Sequence, residues 1–446
     1  MVTRREFLDT LALGTAGLAI TSTAKSYAQI MGANDRLNFA VIGVRSRAYA
    51  HLSSLKANKS AARITHVCDV DSNTLKKFAD ATQQEMGEAP AAERDFRNIL
   101  AKKDVDAITI AAPDHWHTPM AILGLKAGKH VYVEKPCSHN PGEGALLVAA
   151  QRKYGKKVQM GTQQRSSPHT IEVVGRLHAG EFGDTYLAKC WYVNTRGPIG
   201  VGKAVPVPPQ LDWDLWQGPA PRREYHDNYQ PYNWHWFKQW GTGETLNNGT
   251  HEVDVCRWAL GVDFPETVSA QGGRYQYHDD WQFYDTLITS FNYPAVGATG
   301  GKMLTWEGNS CQGLRQYNRD RGSVIQGTKG SVLVDRDGYE TYDWKGKKTG
   351  EVRANKEQTS SADLTGRDSM TDLHFANFIA AIKTGEKLHA PIEVGNVAVT
   401  MLQLSNVAWE VNRLLKLDTA NGKIQNDAEA MKYWNRSYEK GWEPTI

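Results

Sequence analysis

Between residues 36 and 162 the chain alternates short apolar runs with helix-patterned segments, and this alternation narrows the fold more than any other feature. The apolar runs are RLNFAVIGV (36–44), RITHVCDVD (63–71), VDAITIAAP (105–113), HVYVEKP (130–136) and KKVQMGT (156–162). Between them lie YAHLSSLKANK, SNTLKKFADATQQEM, FRNILAKKD, HTPMAILGLKAGK and PGEGALLVAAQRKYG. Runs that are apolar on both faces belong to strands covered by helices on both sides. The pattern predicts an α/β, doubly wound Rossmann-type domain over 35–165, with five parallel strands. Ser72 or Asn73 is the expected cap of the second helix.

The pattern changes after residue 166. HTIEVVGRLHAGEFG reads as a helix and DTYLAKCWYV as an alternating strand. A loop region, 194–245, is dense in Trp, Pro and Gly. GTHEVDVCRWAL (249–260) is helical, and segments near 265–275, 283–293, 301–307, 322–327 and 330–335 read as short antiparallel strands. ETYDWKGKKTGEVRANKEQ reads as a polar excursion. DSMTDLHFANFIAAIKTG and IEVGNVAVTMLQLSNVAWEVNRLL are closing amphipathic helices. A second, α+β domain is expected over 166–415, followed by a tail, 416–446.

With 52 basic and 49 acidic residues, the charge balance favours neither nucleic acid nor a polybasic membrane surface. No apolar run is long enough for the mature chain to insert in a membrane. The first residues are different. TRREFLDTLALGTAGLAITSTAKSYAQ has a basic start, an apolar centre and a small-x-small ending. This resembles a twin-arginine signal peptide over 1–28, cleaved after Ala28, and implies export to the periplasm or cell envelope. An amphipathic N-terminal helix is the alternative. Cys68, Cys137, Cys190, Cys256 and Cys311 are sparse and odd in number, which argues against a disulfide framework.

Dinucleotide folds place a pyrophosphate at the first strand–helix turn. Here that turn is Gly43-Val44-Arg45-Ser46-Arg47-Ala48, with Arg45 where the fingerprint has its middle glycine. An ordinary tight turn is the alternative. Asp69 ends the second strand, where an acid can accept hydrogen bonds from ribose hydroxyls and repel a 2′-phosphate. Asp71 is near enough to share that role. The acid favours NAD over NADP; Arg45 is the counterweight. Strands three and four end in AAPDHWHTP and VEKP, beyond which ligands of parallel sheets bind. Pro113, His117, Glu134 and Lys135 therefore join Gly43, Arg45, Ser46, Asp69 and Asp71 as cofactor-binding candidates. Pro136 biases Lys135 toward an extended backbone. A solvated loop lysine is the alternative, and His115 reads as structural.

FAVIGV, HVCDVD, AAPDHWHTPMAILGLKAGKHVYVEKP, LNNGTHEVDVCRWAL and HFANFIAAIKTGE together resemble the glucose-fructose oxidoreductase and inositol dehydrogenase (Gfo/Idh/MocA) family. The resemblance covers nearly the whole mature chain. It implies an NAD(P)-binding first domain and a second domain built on a large mixed, mainly antiparallel open sheet. It further implies an active site between the two, and a homodimer or homotetramer formed through that sheet. Lys135 and His251 match family positions at the reacting hydroxyl. The family's aspartate, four residues before the histidine, is Asn247 here, and Asn cannot accept a proton as a carboxylate does. His251 could remain the base, Asn247 could orient it or bind a hydroxyl, and Glu244 is a candidate replacement carboxylate. Apart from the family, His251 could equally pack against Trp258, and His117 could be a capping contact.

The 187–245 region holds many aromatic residues beside Arg196. Aromatic faces stack on sugar C–H faces, and Tyr192, Arg196 and Trp236, with Asn247 and His251, are the substrate-binding candidates. A small neutral carbohydrate is the expected partner, with no nucleic acid. DHWH, HEVD and His235 raise a metal site as a rival, but no ligand set of usual spacing accompanies them, and none is expected. An exported NAD enzyme would retain its cofactor. Three activities are open: oxidation of a ring hydroxyl of a sugar, glycoside or cyclitol; redox-neutral glycoside cleavage through transient oxidation and elimination; or non-catalytic sugar binding with structural NAD.

Overall fold

In the computed structural model, residues 36–295, 300–354 and 369–446 are described, and the leader expected over 1–28 lies outside them. The first sheet contains β1 (Leu37–Ile42), β2 (Ala62–Cys68), β3 (Ala91–Glu93), β4 (Ala107–Ile110), β5 (His130–Val133) and β6 (Val158–Met160). Its order is β3-β2-β1-β4-β5-β6, and every pairing is parallel. The sequence predicts five of these strands. The sixth, β3, is a three-residue edge whose Ala-Ala-Glu carries no apolar run and is largely exposed.

Helices α1 (Ala48–Ala57), α2 (Ser72–Met86), α3 (Phe96–Leu100), α4 (Asp114–Lys126) and α5 (Pro141–Tyr154) connect the strands. The cap of α2 is Asp71, not Ser72 or Asn73. Its carboxylate accepts from the Asn73 and Thr74 backbone N–H groups, both at 2.9 Å. Strand alternation sends Phe39 and Val41 to one face of the sheet and Ala40 and Ile42 to the other, and all four are buried.

The second sheet is built around β7 (Thr185–Thr195). Its other strands are β8 (Thr267–Gly273), β9 (Thr286–Tyr293), β10 (Lys302–Asn309), β11 (Cys311–Gln312), β12 (Arg321–Gly327), β13 (Gly330–Val334), β14 (Gly338–Asp343), β15 (Lys348–Arg353) and β16 (Leu415–Lys416). The order is β15-β14-β13-β12-β7-β10-β9-β8-β16, with β11 against β7. The sheet is mixed: β7 and β10 are parallel and the other pairings are antiparallel. Alternation cannot reveal that one parallel pairing, because strand direction depends on the route of the connecting chain. The segment read as a polar excursion contains the hairpin β14–β15. It is an edge hairpin, and β15 is mostly exposed, so its composition resembles a loop.

Helices α6 (Pro168–His178), α7 (Trp213–Gln217), α8 (Gly243–Asn247), α9 (Gly249–Leu260), α10 (Ser369–Thr384) and α11 (Ile392–Glu410) complete the fold. Late in sequence, α10 covers the Phe39 face of the first sheet, where Phe375 stacks on Tyr132 with centroids 4.4 Å apart. At the junction of the two sheets Arg165 grips Asp254 of α9 through two bonds of 2.6 and 2.9 Å. The tail also returns to the first domain. Arg436 donates to Glu143 and to the His115 carbonyl, and Trp442 packs edge-on against Trp116.

Candidate active site

The strand order reverses between β1 and β4, the place where open parallel sheets bind ligands. A cleft opens there, enclosing about 880 Å3 with its open mouth included. Gly43, Arg45 and Ser46 line it from the first turn, Asp69 and Asp71 from β2, and Pro113 from β4. Gly43 has φ +78°, and a Cβ there would sit 2.6 Å from the Ala112 backbone nitrogen. Only glycine fits this turn, as close backbone approach to a pyrophosphate requires. Arg45 and Ser46 are exposed at the mouth.

The Asp69 carboxylate accepts from the Val44 N–H at 2.8 Å and the Asp71 N–H at 3.0 Å. It therefore braces the phosphate turn, and each oxygen keeps a further lone pair for a ribose hydroxyl. Burial raises its pKa to about 6, against the opposing effect of these two bonds. Asp71 lies alongside with one oxygen committed to capping α2. This arrangement of glycine turn, strand-end acid and apolar wall fits a dinucleotide.

Segments of the 194–245 region roof the cleft. Leu211, Trp216, Pro231, Tyr232, Trp234 and His235 face the turn residues across it. The roof is hydrogen-bonded to the end of β2: Ser72 N–H donates to the Gln210 carbonyl and Asp212 N–H to the Val70 carbonyl. Composition marks this region as aromatic but does not say that it covers a ligand.

Beyond the cleft, the end of β5 meets α8 and α9. Lys135 Nζ donates to the Asn247 carbonyl at 2.7 Å and lies 3.3 Å from Asn247 Oδ1. Burial lowers the Lys135 pKa, opposed by Glu134 and Asp114. His251 is buried, and among the described residues its Nδ1 has no hydrogen-bond partner. Burial holds its pKa well below the ordinary value, and Arg336, Lys135, Arg321 and Arg47 add to the effect. The imidazole is therefore neutral. Arg336, in the β13–β14 turn, acts on both Lys135 and His251. Nothing in its local sequence points to the site.

Glu134 and His117 take supporting positions. Glu134 accepts from Arg47 at 2.7 Å and lies 3.1 Å from His51 Nε2. Burial alone would raise its pKa, but those neighbours hold it well below the carboxylate range. His117 has Nδ1 2.6 Å from the Pro136 carbonyl and Nε2 2.7 Å from the Ala112 carbonyl. It ties the ends of β4 and β5 together. His115 is buried with Nε2 on the Trp216 carbonyl, a structural role.

Glu244 binds Arg196, and the Arg196 guanidinium lies over the Tyr232 and Trp236 rings. Trp236 is buried and stacked on Trp281, centroids 4.0 Å apart, so it acts as the backing of Arg196. Tyr192 is buried beneath Arg321, which pairs with Glu252. The rival metal ligands are dispersed by these contacts: Glu252 turns to Arg321 and Asp254 to Arg165. Among the described residues no group of three or more His, Cys, Asp or Glu could hold a metal ion.

A doubly wound domain with a glycine turn, a strand-end acid and a cleft at the strand-order reversal is, in class, a nucleotide-binding domain. The chain belongs to the Gfo/Idh/MocA family. Residues 37–162 match the family model described as oxidoreductase family, NAD-binding Rossmann fold, and 216–333 match the GFO/IDH/MocA C-terminal domain. Its cofactor is NAD. An uncharacterized oxidoreductase YrbE of Bacillus subtilis (strain 168) is 26% identical over 61% of this chain and 66% of its own length. A glycosyl hydrolase family 109 protein of Saccharopolyspora erythraea is 30% identical over 43% of this chain and 46% of its own length. The chain thus spans less than two thirds of these curated relatives. An inositol 2-dehydrogenase of Rubrobacter xylanophilus is 27% identical over 68% of this chain and 72% of its own. In fold, the chain resembles levoglucosan dehydrogenase in complex with NADH and levoglucosan, with TM-score 0.65, 18% identity, and coverage of 85% of this chain and 99% of that one.

Proposed function

We propose that the protein is an NAD-dependent oxidoreductase acting on a ring hydroxyl of a sugar, glycoside or cyclitol, with its nucleotide retained. The observation that carries this reading is the meeting of Lys135, from the end of β5, with Asn247 near His251, next to Tyr232, which lines the nucleotide cleft and bonds Asn247 Nδ2 through its hydroxyl. When bound in that cleft, NAD supplies the two-electron redox chemistry. Neutral His251 takes the hydroxyl proton as the carbinol carbon is oxidised. The Lys135 ammonium donates to the same oxygen as negative charge builds on it. Asn247 holds the lysine in place, and Arg196, backed by Tyr232 and Trp236 and itself partly exposed, supplies a polar edge for a ring.

The roof over the cleft supports nucleotide retention, and export by the twin-arginine route over residues 1–28 would require it. Assembly into a dimer or tetramer through the second sheet is part of the same proposal. One face of that sheet is buried by Leu287, Phe291, Leu304 and Trp306, while Lys189, Ile288 and Met303 are exposed. Redox-neutral glycoside cleavage is the second reading, favoured by Asn247 in place of a carboxylate and by the glycosyl hydrolase family 109 relatives. Against a tyrosine as the second base, burial raises the pKa of both Tyr192 and Tyr232.

The test is incubation of the protein, without added NAD, with a panel of glycosides, 3-keto glycosides and cyclitols, followed by mass analysis. A ketone appearing together with absorbance near ~340 nm supports the oxidoreductase. Glycone and aglycone released together move the assignment to cleavage. Absence of nucleotide after gentle purification overturns retention.

A further inference from the structure

Glu244 and Asn247 lie on one face of α8, and their contacts fix which way the Asn247 amide points. Asn247 Nδ2 lies 3.4 Å from Glu244 Oε1 and 3.2 Å from the Tyr232 hydroxyl oxygen. Both are acceptors, so the NH2 end of the amide belongs there and Oδ1 faces the Lys135 ammonium. The Glu244 side chain is 1% exposed, and its carboxylate also accepts from Arg196 and from the Asn248 amide. An aspartate at 247 would have no donor to offer Glu244. It would set two buried carboxylate oxygens about as close as the present bond, where like charges do not both ionise readily.

We infer that Glu244 and Asn247 form a divided pair, in which Glu244, its charge already paired with Arg196, takes the Asn247 NH2 group and so aims the neutral Asn247 oxygen at the lysine. Glu244 is thus a positioning residue acting through Asn247, and the amide at 247 is the consequence of the carboxylate at 244. The inference rests on the proposed role of Lys135.

The test compares wild type with Glu244→Gln, Asn247→Asp and the double variant, in the full-length protein. The first readout needs no substrate: the melting midpoint against pH. In Asn247→Asp the added carboxylate meets Glu244 on one side, which raises the folded pKa of the pair, and the Lys135 ammonium on the other, which with Arg196 opposes the rise. The inference requires the crowding to prevail, so that stability is present at low pH and lost as pH rises. The midpoint of this variant should fall by about 2–4 °C or more relative to wild type between about pH 5 and 8. The double variant should not show this fall, because the amide introduced at position 244 can donate to the carboxylate introduced at position 247. The second readout is turnover. Each single variant should lose about tenfold or more in kcat with little change in KM. The double should lose at least several-fold less than the product of the two losses.

Parallel melting of Asn247→Asp and wild type at every pH would overturn the inference, as would losses in kcat that multiply. Should Glu244→Gln fail to fold, the pH-dependence of Asn247→Asp against wild type decides alone. Should wild type turn over no ring hydroxyl, the proposed activity falls while the melting comparison still judges the pair.

Discussion

Lys135 Nζ bonds to the Asn247 backbone carbonyl at 2.7 Å, joining the end of β5 to the end of α8 across 112 residues of sequence. The bond places the ammonium beside Asn247, whose amide in turn reaches Tyr232 in the wall of the nucleotide cleft. A backbone carbonyl is a fixed acceptor that no side-chain rotation removes. The lysine is therefore held by the fold itself, as the proposed role of a preorganised donor requires.

Replacing that donor should separate chemistry from binding. Lys135→Ala is expected to lower kcat by about 10²–10³-fold. NAD affinity should change little, because Asp69 and the Gly43 turn line the cleft and Lys135 does not. Steady-state kinetics and nucleotide titration on the same preparation check this, and turnover surviving in the variant would remove Lys135 from the mechanism.

The pH profile of kcat/KM should be displaced toward acid on both sides. His251 must be neutral to take a proton, so activity falls as pH drops through its pKa, which burial sets well below 6.5. Lys135 must be charged to donate, so activity falls as pH rises through its pKa, which burial sets below 10.5. His251→Gln should abolish the acid limb, as measured by rates across the range in constant ionic strength.

Asp69 links nucleotide binding to pH. Its folded pKa of about 6 lies above the ordinary carboxylate value of 3.8. In the apoprotein its contribution to stability is therefore present below that lower value and lost as pH rises through about 6. NAD affinity has the opposite slope, since the ionised carboxylate is the better acceptor for ribose hydroxyls. Asp69→Asn should flatten that slope and weaken NAD by about 10–100-fold, the range for hydrogen bonds to a charged group. Calorimetry at several pH values reads both effects.

The Arg165–Asp254 pair, with side chains 7% and 1% exposed, should behave as a buried ion pair. Arg165→Met removes both hydrogen bonds to the buried Asp254 carboxylate and leaves it only Arg257, 3.9 Å away, and is expected to cost up to about 3–5 kcal/mol. Removing both charges, as Arg165→Met with Asp254→Leu, should cost much less. Denaturant unfolding of the three proteins measures the difference.

Much of the fold was legible because short apolar runs and helical spacing are local properties. β1, β2, β4, β5 and β6 appear where alternation puts them, whereas β3 escaped because three small or acidic edge residues carry no pattern. The cap of α2 was misplaced by one residue, since Asp71, Ser72 and Asn73 are all competent caps and only backbone geometry chooses among them. Gly43 and Asp69 were legible through spacing. Arg336 was not, because its importance comes from a hairpin turn that reaches the site only when the second sheet is assembled.

By itself the sequence determined the layered α/β start, the second domain after it, and the positions of a lysine and a histidine at element ends. Those follow from periodicity and residue type. Tertiary structure decided which charges neutralise one another: Glu134 with Arg47, Glu244 with Arg196, Glu252 with Arg321 and Asp254 with Arg165. It also decided that the Trp-rich loops roof the nucleotide cleft and that burial pushes the His251 pKa down. The physical reason is that burial and charge pairing depend on distances between residues far apart in the chain, and no local pattern encodes those distances.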